Sequence, residues 1–474
     1  MSDPSNVANP ERSAEGSTFT WWRDRWLWGA LAVALVLRVF PLVVWHMGEC
    51  VRDECIYRSI AGKIVGGKGL TTSTKGWLPA PGIPYLLAWM KITFGTFQSI
   101  KVFHVIVSLV STLWMYFLGR RLGGRSVARY AAWLFAAHPT LAWFTNTMWI
   151  ETLYIFFLLT AILTLLWAKD RTWAWMILAG VALGFAVLFR GVATYLPPFF
   201  LLAIVYPTAW NRQGVVAGLS KGWQPAIGFV IGLLITVAPY SISASQKHGG
   251  FMVTDATAGH VLYLGNNDFP PLTFDYGNGM LTQPIFQRYL RIGRRPPCPR
   301  NQPPVLAMDC ESEQAVEWIK DNPREFVSRV PLRLAQLFNP HSFLTRHVRW
   351  GFFPGLPWLL KEALVFWIAA TSAAIMIGGT IGAWARARGA YGSMAVGTVV
   401  YTIATISILY GMTRFRLPLE PLWMLYLALL IDDPRGSFDA LQSQSWRMMG
   451  LLLTLPPLLM LMAWFTPTGW PLFW

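Results

Sequence analysis

Long runs of apolar residues alternate with short polar segments along most of this chain, and the polar segments are rich in arginine and lysine. A transmembrane helix needs about 20 consecutive, mainly apolar residues, so each sufficiently long run predicts a membrane span. The pattern predicts an all-α polytopic membrane protein with about eleven spans, in a range of about ten to thirteen. The predicted spans are 26–46, 100–119, 127–145, 148–168, 173–189, 192–208, 225–243, 356–382, 391–411, 417–431 and 448–466.

Residues 81–97 are also apolar, and they predict either an interfacial helix or a short span. Basic residues decide between these alternatives, because loops on the cytoplasmic side of a membrane carry an excess of lysine and arginine. If the N-terminus is cytoplasmic and 81–97 does not cross, nearly every inside loop holds a pair of basic residues. We therefore expect 81–97 to lie along the membrane. The basic residues then assigned to the inside are Arg120, Arg121, Arg125, Lys169, Arg171, Arg212, Lys221, Arg386, Arg388, Arg435 and Arg447.

This topology divides the chain into successive predicted parts. A cytoplasmic tail over 1–25 precedes a transmembrane module over 26–243, and a C-terminal set of spans occupies 356–474. Two long stretches face outward. They are the first outer loop, 47–99, and a region over 244–355 that we expect to form a small extracytoplasmic domain.

The second outward region contains one clear helical pattern. Apolar and charged residues recur with the period of an amphipathic helix over 311–320, and Asn322-Pro323 provides a stop signal. We expect a helix at this position, with juxtamembrane helices beside the spans.

Composition supports a membrane protein and limits its partners. Of 474 residues, 54% are hydrophobic and 13% are charged, whereas a soluble protein carries about 25% charged residues. A lipid-facing surface accounts for that deficit. The formal net charge of +16 would suit nucleic acid, but the basic residues lie in short loops between apolar runs, where they act as topology signals and contact anionic lipids. We therefore expect membrane lipids as partners and no nucleic acid.

All the cysteines fall in the two outward stretches. An even number of cysteines confined to the oxidising side of a membrane predicts disulfides. Local pairing would join Cys50 to Cys55 and Cys298 to Cys310. Pairing between the two stretches is one alternative, and free thiols that act as small buried hydrophobes are another.

Ionisable residues gather at the predicted outer surface, where the cost of placing charge in or beside lipid usually marks function. A carboxylate there would take the proton from an acceptor hydroxyl, while arginines would hold a phosphate leaving group by charge-assisted hydrogen bonds. Transfer from a lipid phosphate needs this combination. Solvated loop acids and interfacial anchors are the structural alternatives. The residues concerned are Asp53, Glu54, Glu151, Arg190, Arg414 and Arg416.

Short motifs spread over 30–430 give these residues a common context. Together the motifs resemble the GT-C superfamily of membrane glycosyltransferases, and most of all the group that contains protein O-mannosyltransferases and lipid A aminoarabinose transferases. The chain departs from these relatives at Pro79-Ala-Pro81, where they often have Lys-Pro-Pro, and this leaves the subfamily and the acceptor open. In chain order the motifs are Asp53-Glu54 followed by Tyr57, Ala61 and Gly67; Pro79–Ala88 with Phe94-Gly95; Gly180–Gly184 leading into Phe189-Arg190; Gly259–Asn266, then Asn322-Pro323 before Phe326; and Arg414–Pro421.

The resemblance implies a GT-C fold and an inverting transfer of one hexosyl or pentosyl unit from a polyprenyl-phosphate-linked donor to an extracytoplasmic lipid, glycan or protein. It implies Asp53 as the general base, with Glu54 or Glu151 orienting that base or the acceptor. It also implies a bacterial inner-membrane location, with the active site on the periplasmic side. The remaining candidates are the donor-phosphate ligands Lys75, Arg190, Arg414 and Arg416 and the substrate-binding residues Tyr57, His260 and Asn266.

Metal dependence and other functions are the open alternatives. The oxygen atoms of Asp53, Glu54 and Glu151 would suit Mg or Mn, but the group that the chain resembles more often works without a metal, so a metal-free mechanism ranks ahead. One rival enzyme is a ligase that moves a whole glycan from a lipid diphosphate. A transporter or flippase is less favoured, because transporters place charged sites near the bilayer midplane and use inverted repeats. A non-catalytic scaffold that binds polyprenyl lipid is the last alternative.

Overall fold

The computed structural model describes residues 20–44, 50, 53–71, 78–168, 173–209, 215–268, 298, 302–349, 351–387, 389–443 and 458–459. Across these residues the regular structure is helical, with 3-10 helices at Trp21–Arg23 and Gly191–Tyr195 and an isolated antiparallel bridge between Leu78 and Ala256. The all-α prediction is therefore confirmed. The α-helices are α1 Arg25–Val44, α2 Asp53–Val65, α3 Gly82–Phe94, α4 Ser99–Gly123, α5 Arg125–Ala136, α6 Pro139–Phe144, α7 Glu151–Ala168, α8 Ala174–Phe189, α9 Pro197–Ala209, α10 Val215–Lys247, α11 Ala258–Gly265, α12 Pro304–Asp321, α13 Pro323–Leu337, α14 Phe343–Arg349, α15 Trp358–Arg386, α16 Gly389–Ile408, α17 Thr413–Arg416, α18 Glu420–Asp432 and α19 Pro434–Gln442.

Six helices in the described part of the chain are long and apolar enough to cross a membrane. Two further apolar helices, Ala174–Phe189 and Gly191–Val205, are shorter. Repeated spans of this kind make the chain a multi-pass membrane protein, as predicted. The six long helices are Arg25–Val44, Ser99–Gly123, Glu151–Ala168, Trp223–Lys247, Trp358–Arg386 and Tyr391–Ile408.

The predicted span over 127–145 is interrupted. One helix ends at Ala136 and the next begins at Pro139, because proline has no N–H to donate and its backbone angle suits the first position of a new helix. The His138 side chain caps this start by accepting a hydrogen bond of 3.2 Å from the Leu141 N–H. Neither piece reaches the length that a span needs, so the total of about eleven spans stays a prediction.

Other predicted apolar segments are short or only partly described. The segment 417–431 corresponds to α18, whose 13 residues extend about 20 Å at about 1.5 Å per residue. Residues 81–97 contain α3, which also has 13 residues. Such a helix cannot cross a hydrocarbon core of about 30 Å alone, which agrees with the non-crossing alternative. The predicted span over 448–466 lies outside the described residues, apart from 458–459.

Glycines bring the helices that support the charged residues into close contact. On α8, a Cβ atom at Gly180 would lie 2.0 Å from the carbonyl oxygen of Phe229 on α10. On α15, a Cβ atom at Gly382 would lie 2.2 Å from the carbonyl oxygen of Tyr426 on α18. Small residues of this kind allow membrane helices to pack backbone against backbone. Because α8 leads directly into Arg190, the first contact fixes the position from which that arginine extends.

The two regions that were predicted to face outward contain the predicted disulfides and the predicted amphipathic helix. The pattern over 311–320 belongs to α12, which is followed by Asn322 and then by α13. Both local cysteine pairings are present, which excludes pairing between the two stretches and free thiols. The bridges are Cys50–Cys55 and Cys298–Cys310.

An ion cluster around the buried Asp24 carboxylate ties the start of α1 to α5. The Asp24 carboxylate accepts hydrogen bonds of 3.1 Å from Nε of Arg125, 3.0 Å from Nε of Arg129 and 3.0 Å from the Tyr116 hydroxyl. Burial by itself would raise the pKa of Asp24, but these hydrogen bonds outweigh burial and lower the pKa to about 2. The carboxylate therefore stays charged in the folded protein over the ordinary pH range.

Candidate active site

Arg414 joins two carboxylates that come from distant parts of the sequence. Asp53 is the first residue of α2, Glu151 is the first residue of α7, and Arg414 lies on the short helix α17. The Nη1 atom of Arg414 donates to Oδ2 of Asp53, and its Nε atom donates to Oε1 of Glu151. The Nη2 atom donates to Oε2 of Glu151 over 3.3 Å. The guanidinium also stacks on Trp149, with Cζ 4.3 Å from the ring centroid.

The three charged residues differ in their access to solvent. The side chain of Glu151 is 0% exposed and that of Arg414 is 9% exposed, whereas the side chain of Asp53 is 38% exposed. Although burial by itself would lower the pKa of Arg414, the carboxylates of Glu151 and Asp53 raise it well above its usual value. Arg414 therefore remains a cation, and Asp53 is the carboxylate of this group that an incoming molecule can reach.

Arg190 completes the cluster from the end of α8. Its Nη1 atom lies 3.6 Å from Oε1 of Glu151. The guanidinium lies beside two aromatic rings, with Cζ 5.6 Å from the ring centroid of Tyr154 and 5.3 Å from that of Phe415. Among the described residues, Nη1 has no hydrogen-bond partner. Arg190 therefore has a hydrogen-bond donor that the described residues leave unused. The nearby Glu151 carboxylate balances the charge of this guanidinium.

Two tyrosines extend the cluster. Tyr57 is buried one turn after Asp53 on α2, and its hydroxyl is hydrogen-bonded to Arg414. Burial and the Asp53 carboxylate raise the pKa of Tyr57 well above its usual value. Burial, followed by the same carboxylate, raises the pKa of Tyr410 to about 12. Both hydroxyls therefore stay protonated at neutral pH and can donate a hydrogen bond to an anion.

Glu54 lies next to Asp53 in sequence but has a different environment. It is buried, and its Oε1 atom accepts a hydrogen bond of 2.7 Å from the Met148 N–H. The neighbouring residue is held as well, because Nδ1 of His104 lies 3.0 Å from the Thr147 carbonyl oxygen. Glu54 therefore holds the segment that leads into Glu151.

Arg416 lies apart from this cluster. It is fully buried, and its Nε atom donates to Glu420 over 2.9 Å while Nη1 donates to the carbonyl oxygens of Leu337 and Asn339. Residues two apart on a helix point about 200° apart around the axis, so Arg414 and Arg416 face different surroundings. The Arg416 guanidinium therefore binds Glu420 and protein carbonyls inside the fold, and its role as a donor-phosphate ligand stays a prediction.

The other predicted substrate ligands also lie elsewhere. Nδ1 of His260 pairs with the Glu311 carboxylate at 3.1 Å. The Asn266 amide donates to the carbonyl oxygen of Ile408 over 2.9 Å, and its Oδ1 atom accepts from Arg333 over 2.9 Å. Both side chains therefore bind neighbouring helices in this structure, and their substrate-binding roles stay predictions. Lys75 lies outside the described residues.

Asn266 and Arg333 affect the candidate site indirectly, because both bind the end of α16. Nη1 of Arg333 donates to the carbonyl oxygens of Ser407 and Ile408 at 2.7 and 3.0 Å. These carbonyls end α16, and the chain continues from there towards Arg414. The pair therefore holds the segment from which Arg414 extends.

Sequence reasoning missed the aromatic and phenolic members of the cluster. Trp149, Tyr154, Tyr410 and Phe415 all lie within four residues of Glu151 or Arg414 in the sequence. Their closeness to those charged residues was an available signal, but tryptophan and tyrosine are common at every membrane interface. Contacts with the guanidinium groups distinguish Trp149, Tyr154 and Phe415 from ordinary interfacial residues, and Tyr410 packs against Phe415.

An arginine lies between the two carboxylates of this site. Among the described residues, no three histidine, cysteine, aspartate or glutamate side chains come together as a metal site would require. Asp53 and Glu151 do face a common point, but the Arg414 guanidinium occupies it and, together with Arg190, balances their charge. Mg and Mn prefer several oxygen ligands around an accessible centre. The positive charge of this site therefore comes from arginine.

Comparisons with known proteins agree with this fold. Residues 79–240 match the family described as dolichyl-phosphate-mannose-protein mannosyltransferase. This matched part includes Glu151 and Arg190, whereas Asp53 and Arg414 lie outside it. No curated protein sequence matches the chain significantly.

Solved structures with a similar fold include an oligosaccharyltransferase from Archaeoglobus fulgidus in complex with Zn and sulfate, with a TM-score of 0.50 and 17% identity over 92% of this chain and 52% of that chain. AglB from the same organism, with an inhibitory peptide and a dolichol-phosphate, has a TM-score of 0.47 and 15% identity over 95% and 57%. ArnT from Cupriavidus metallidurans, bound to undecaprenyl phosphate, has a TM-score of 0.42 and 15% identity over 87% and 77%. The chain spans about half the length of the oligosaccharyltransferase chains it matches.

The helical membrane fold and its ionic cluster indicate the class of this protein, which is a polytopic membrane protein with the GT-C architecture. The match over residues 79–240 to a mannosyltransferase family model agrees with the resemblance to GT-C membrane glycosyltransferases that the motifs predict.

Proposed function

We propose that this protein transfers one sugar from a polyprenyl-phosphate-linked donor to an acceptor outside the cytoplasm, with inversion at the anomeric carbon. The observation that carries this proposal is the Asp53–Arg414–Glu151 bridge, in which the accessible carboxylate is held beside buried arginines. Such a site offers a base on one side and cationic hydrogen-bond donors on the other. Transfer from a lipid phosphate needs both.

Asp53 is the proposed general base. An acceptor hydroxyl would give its proton to the Asp53 carboxylate as its oxygen attacks the anomeric carbon. The bond between that carbon and the phosphate oxygen would break, and its electron pair would leave with the phosphate. A single displacement of this kind inverts the anomeric centre. The 38% exposure of the Asp53 side chain supports access for an acceptor, and the hydrogen bond from Arg414 supports a fixed orientation.

Arg190 is the proposed ligand of the donor phosphate. Its Nη1 atom has no hydrogen-bond partner among the described residues, whereas the guanidinium of Arg414 is already bound by two carboxylates. Charge-assisted hydrogen bonds from Arg190 would strengthen as negative charge grows on the departing phosphate. Arg414 and Glu151 would then orient Asp53 and Arg190, with Tyr57 and Tyr410 as further donors.

The donor and the location follow from different observations. The description of the matched family names a dolichyl-phosphate-linked mannose. This supports a polyprenyl-phosphate sugar as the donor, and both hexosyl and pentosyl units stay open as the transferred sugar. The Cys50–Cys55 disulfide lies within three residues of Asp53, which supports a site on the oxidising side of the membrane. With the positive-inside pattern, we propose the periplasmic face of a bacterial inner membrane.

A second candidate is transfer of a whole glycan from a lipid diphosphate. The fold likeness to the Archaeoglobus fulgidus oligosaccharyltransferase favours this alternative. Two phosphates would bring more negative charge than Arg190 alone can bind, so the observed cluster fits a monophosphate better. The arginine at the point between Asp53 and Glu151 also favours a mechanism without Mg or Mn.

The test is a turnover assay on the purified protein in lipid nanodiscs, with a panel of polyprenyl monophosphate and diphosphate sugars. We expect release of polyprenyl phosphate from a monophosphate donor, and a loss of about 10²–10⁴-fold in Asp53→Asn. The control is Asp309→Asn, which changes an exposed acid on α12. Normal turnover by Asp53→Asn would refute the assignment, and activity restricted to diphosphate donors would favour the ligase. Binding of every donor without cleavage would favour a transporter or a scaffold.

A further inference from the structure

The segment between α10 and α11 passes next to Arg190 and is held at both ends. At its start, the Met252 carbonyl oxygen accepts hydrogen bonds from the hydroxyls of Ser241 and Ser245 at 2.7 and 3.2 Å. At its end, the Ala256 N–H donates to the carbonyl oxygen of Leu78 over 3.0 Å. These bonds leave the intervening residues little freedom to move.

Asp255 lies in this segment and contacts the residue that follows Arg190. Its Oδ1 atom accepts hydrogen bonds from the N–H and the hydroxyl of Thr257 at 3.3 and 2.9 Å. The carboxylate also accepts a hydrogen bond from the Gly191 N–H. A Cβ atom at Gly191 would lie 1.9 Å from Oδ2 of Asp255, so only glycine allows the carboxylate to approach this closely.

Gly191 is the first residue of a 3-10 helix whose cap position is Arg190. The Arg190 side chain makes no capping bond there, because it points into the ionic cluster. Asp255 therefore supplies from another segment the acceptor that a capping residue usually provides for the first N–H groups of a helix.

The backbone of Arg190 is the junction between two helices. Its N–H donates to the Ala186 carbonyl oxygen over 2.9 Å, and its own carbonyl oxygen accepts from the Ala193 N–H over 2.9 Å. Its backbone angles, φ −150° and ψ 112°, are extended. The direction of the Arg190 side chain therefore depends on the angle between the two helices, which the contact between Asp255 and Gly191 holds.

We propose that Asp255 is a positioning residue for Arg190, and that it acts by holding Gly191 so that the Arg190 guanidinium faces the phosphate of the donor. This inference rests on the proposed function for the identity of the ligand, and on the structure alone for the coupling between Asp255 and Arg190. Small displacements of a binding group weaken its interactions strongly.

The first experiment measures binding of polyprenyl phosphate to the purified full-length protein in nanodiscs. We expect Asp255→Ala to weaken binding about tenfold, and Asp255→Asn to weaken it less because its amide oxygen still accepts. Gly191→Ala should weaken binding in the wild-type background and have much less effect together with Asp255→Ala, because the clash with the carboxylate is gone. Asp309→Asn is the matched control and should bind normally.

A double-mutant cycle distinguishes positioning from a general structural role. If Asp255 acts through Arg190, then Asp255→Ala should weaken binding little further in the Arg190→Gln background. Equal weakening in both backgrounds would overturn the proposal. Thermal unfolding temperatures show whether each variant is folded, and Gly191→Ala tests the same contact if Asp255→Ala does not fold.

Hydrogen exchange at Gly191–Tyr195 gives a result that does not depend on the ligand. We expect faster exchange of these amides in Asp255→Ala than in the wild type, and unchanged exchange would overturn the proposal. If the wild type bound no polyprenyl phosphate, the proposed function would fail. Faster exchange in the variant would then still support the contact between Asp255 and the Arg190 segment.

Discussion

The Arg414 guanidinium donates a hydrogen bond to the Asp53 carboxylate, although the two residues lie 361 positions apart in the sequence. The same guanidinium binds the fully buried carboxylate of Glu151. Arg414 is therefore held by the buried Glu151 carboxylate and in turn orients the accessible carboxylate of Asp53. Asp53 and Glu151 bind different nitrogen atoms of this side chain, so a substitution of Arg414 tests both contacts at once.

Arg414→Lys should lower kcat by about 10²-fold, because an ammonium group lacks the planar set of donors that binds two carboxylates at fixed angles. The matched variant is Arg416→Lys, which changes an arginine that binds Glu420 and backbone carbonyls inside the fold. Arg416→Lys should mainly lower the thermal unfolding temperature, with a smaller effect on the kcat of the folded fraction. Steady-state kinetics and unfolding scans measure the two effects, and the reverse pattern would contradict the assignment.

The Cys50→Ser/Cys55→Ser variant should lower kcat about tenfold, because this disulfide closes a short loop around Asp53 at the start of α2. Loss of so short a loop should cost only about 2 kcal/mol of stability. Cys298→Ser/Cys310→Ser removes the disulfide beside α12 and should leave kcat nearly unchanged. Turnover at saturating donor measures both variants. Similar kcat values for the two would exclude a specific role of the first bridge.

Gly180→Ala should destabilise the protein by about 1–3 kcal/mol and reduce turnover. The added Cβ atom would meet the Phe229 carbonyl oxygen at 2.0 Å, and the helix that it displaces leads into Arg190. Gly62→Ala is the control, because its Cβ atom would meet nothing within 4 Å. Alanine is a better helix former than glycine by about 1 kcal/mol, so this control should be stable or stabilised. Chemical unfolding in detergent measures the difference.

Asp24→Asn should destabilise the protein in a pH-dependent way. The pKa of Asp24 is lowered from 3.8 to about 2 in the folded protein, so the charged form stabilises the fold. That stabilisation is complete above the unfolded pKa and is lost as the pH falls towards 2. The unfolding temperatures of wild type and variant should therefore differ most above pH 4 and converge in acid. A difference that stays constant down to pH 2.5 would contradict this; Asp309→Asn is the exposed control.

The two arginines of one motif show where sequence reasoning reached its limit. Arg414 and Arg416 have the same charge, share Phe415 as a neighbour and have the same predicted position at the outer surface. One joins Asp53 to Glu151, and the other binds carbonyl oxygens inside the fold. Side-chain direction on a helix turns about 100° with each residue, so it depends on how the helix is rotated against its neighbours. That rotation is a property of packing.

The sequence alone predicted the helical fold and its placement in a membrane, and it offered local cysteine pairing as one of three alternatives. Hydropathy, loop charge and cysteine spacing act locally, so they can be read along the chain. The tertiary structure decided which charges meet. It placed Arg414 between Asp53 and Glu151, set Asp255 against Gly191, and assigned His260 and Asn266 to helix contacts. Pairings across hundreds of residues depend on the packing of whole helices, which no local pattern contains.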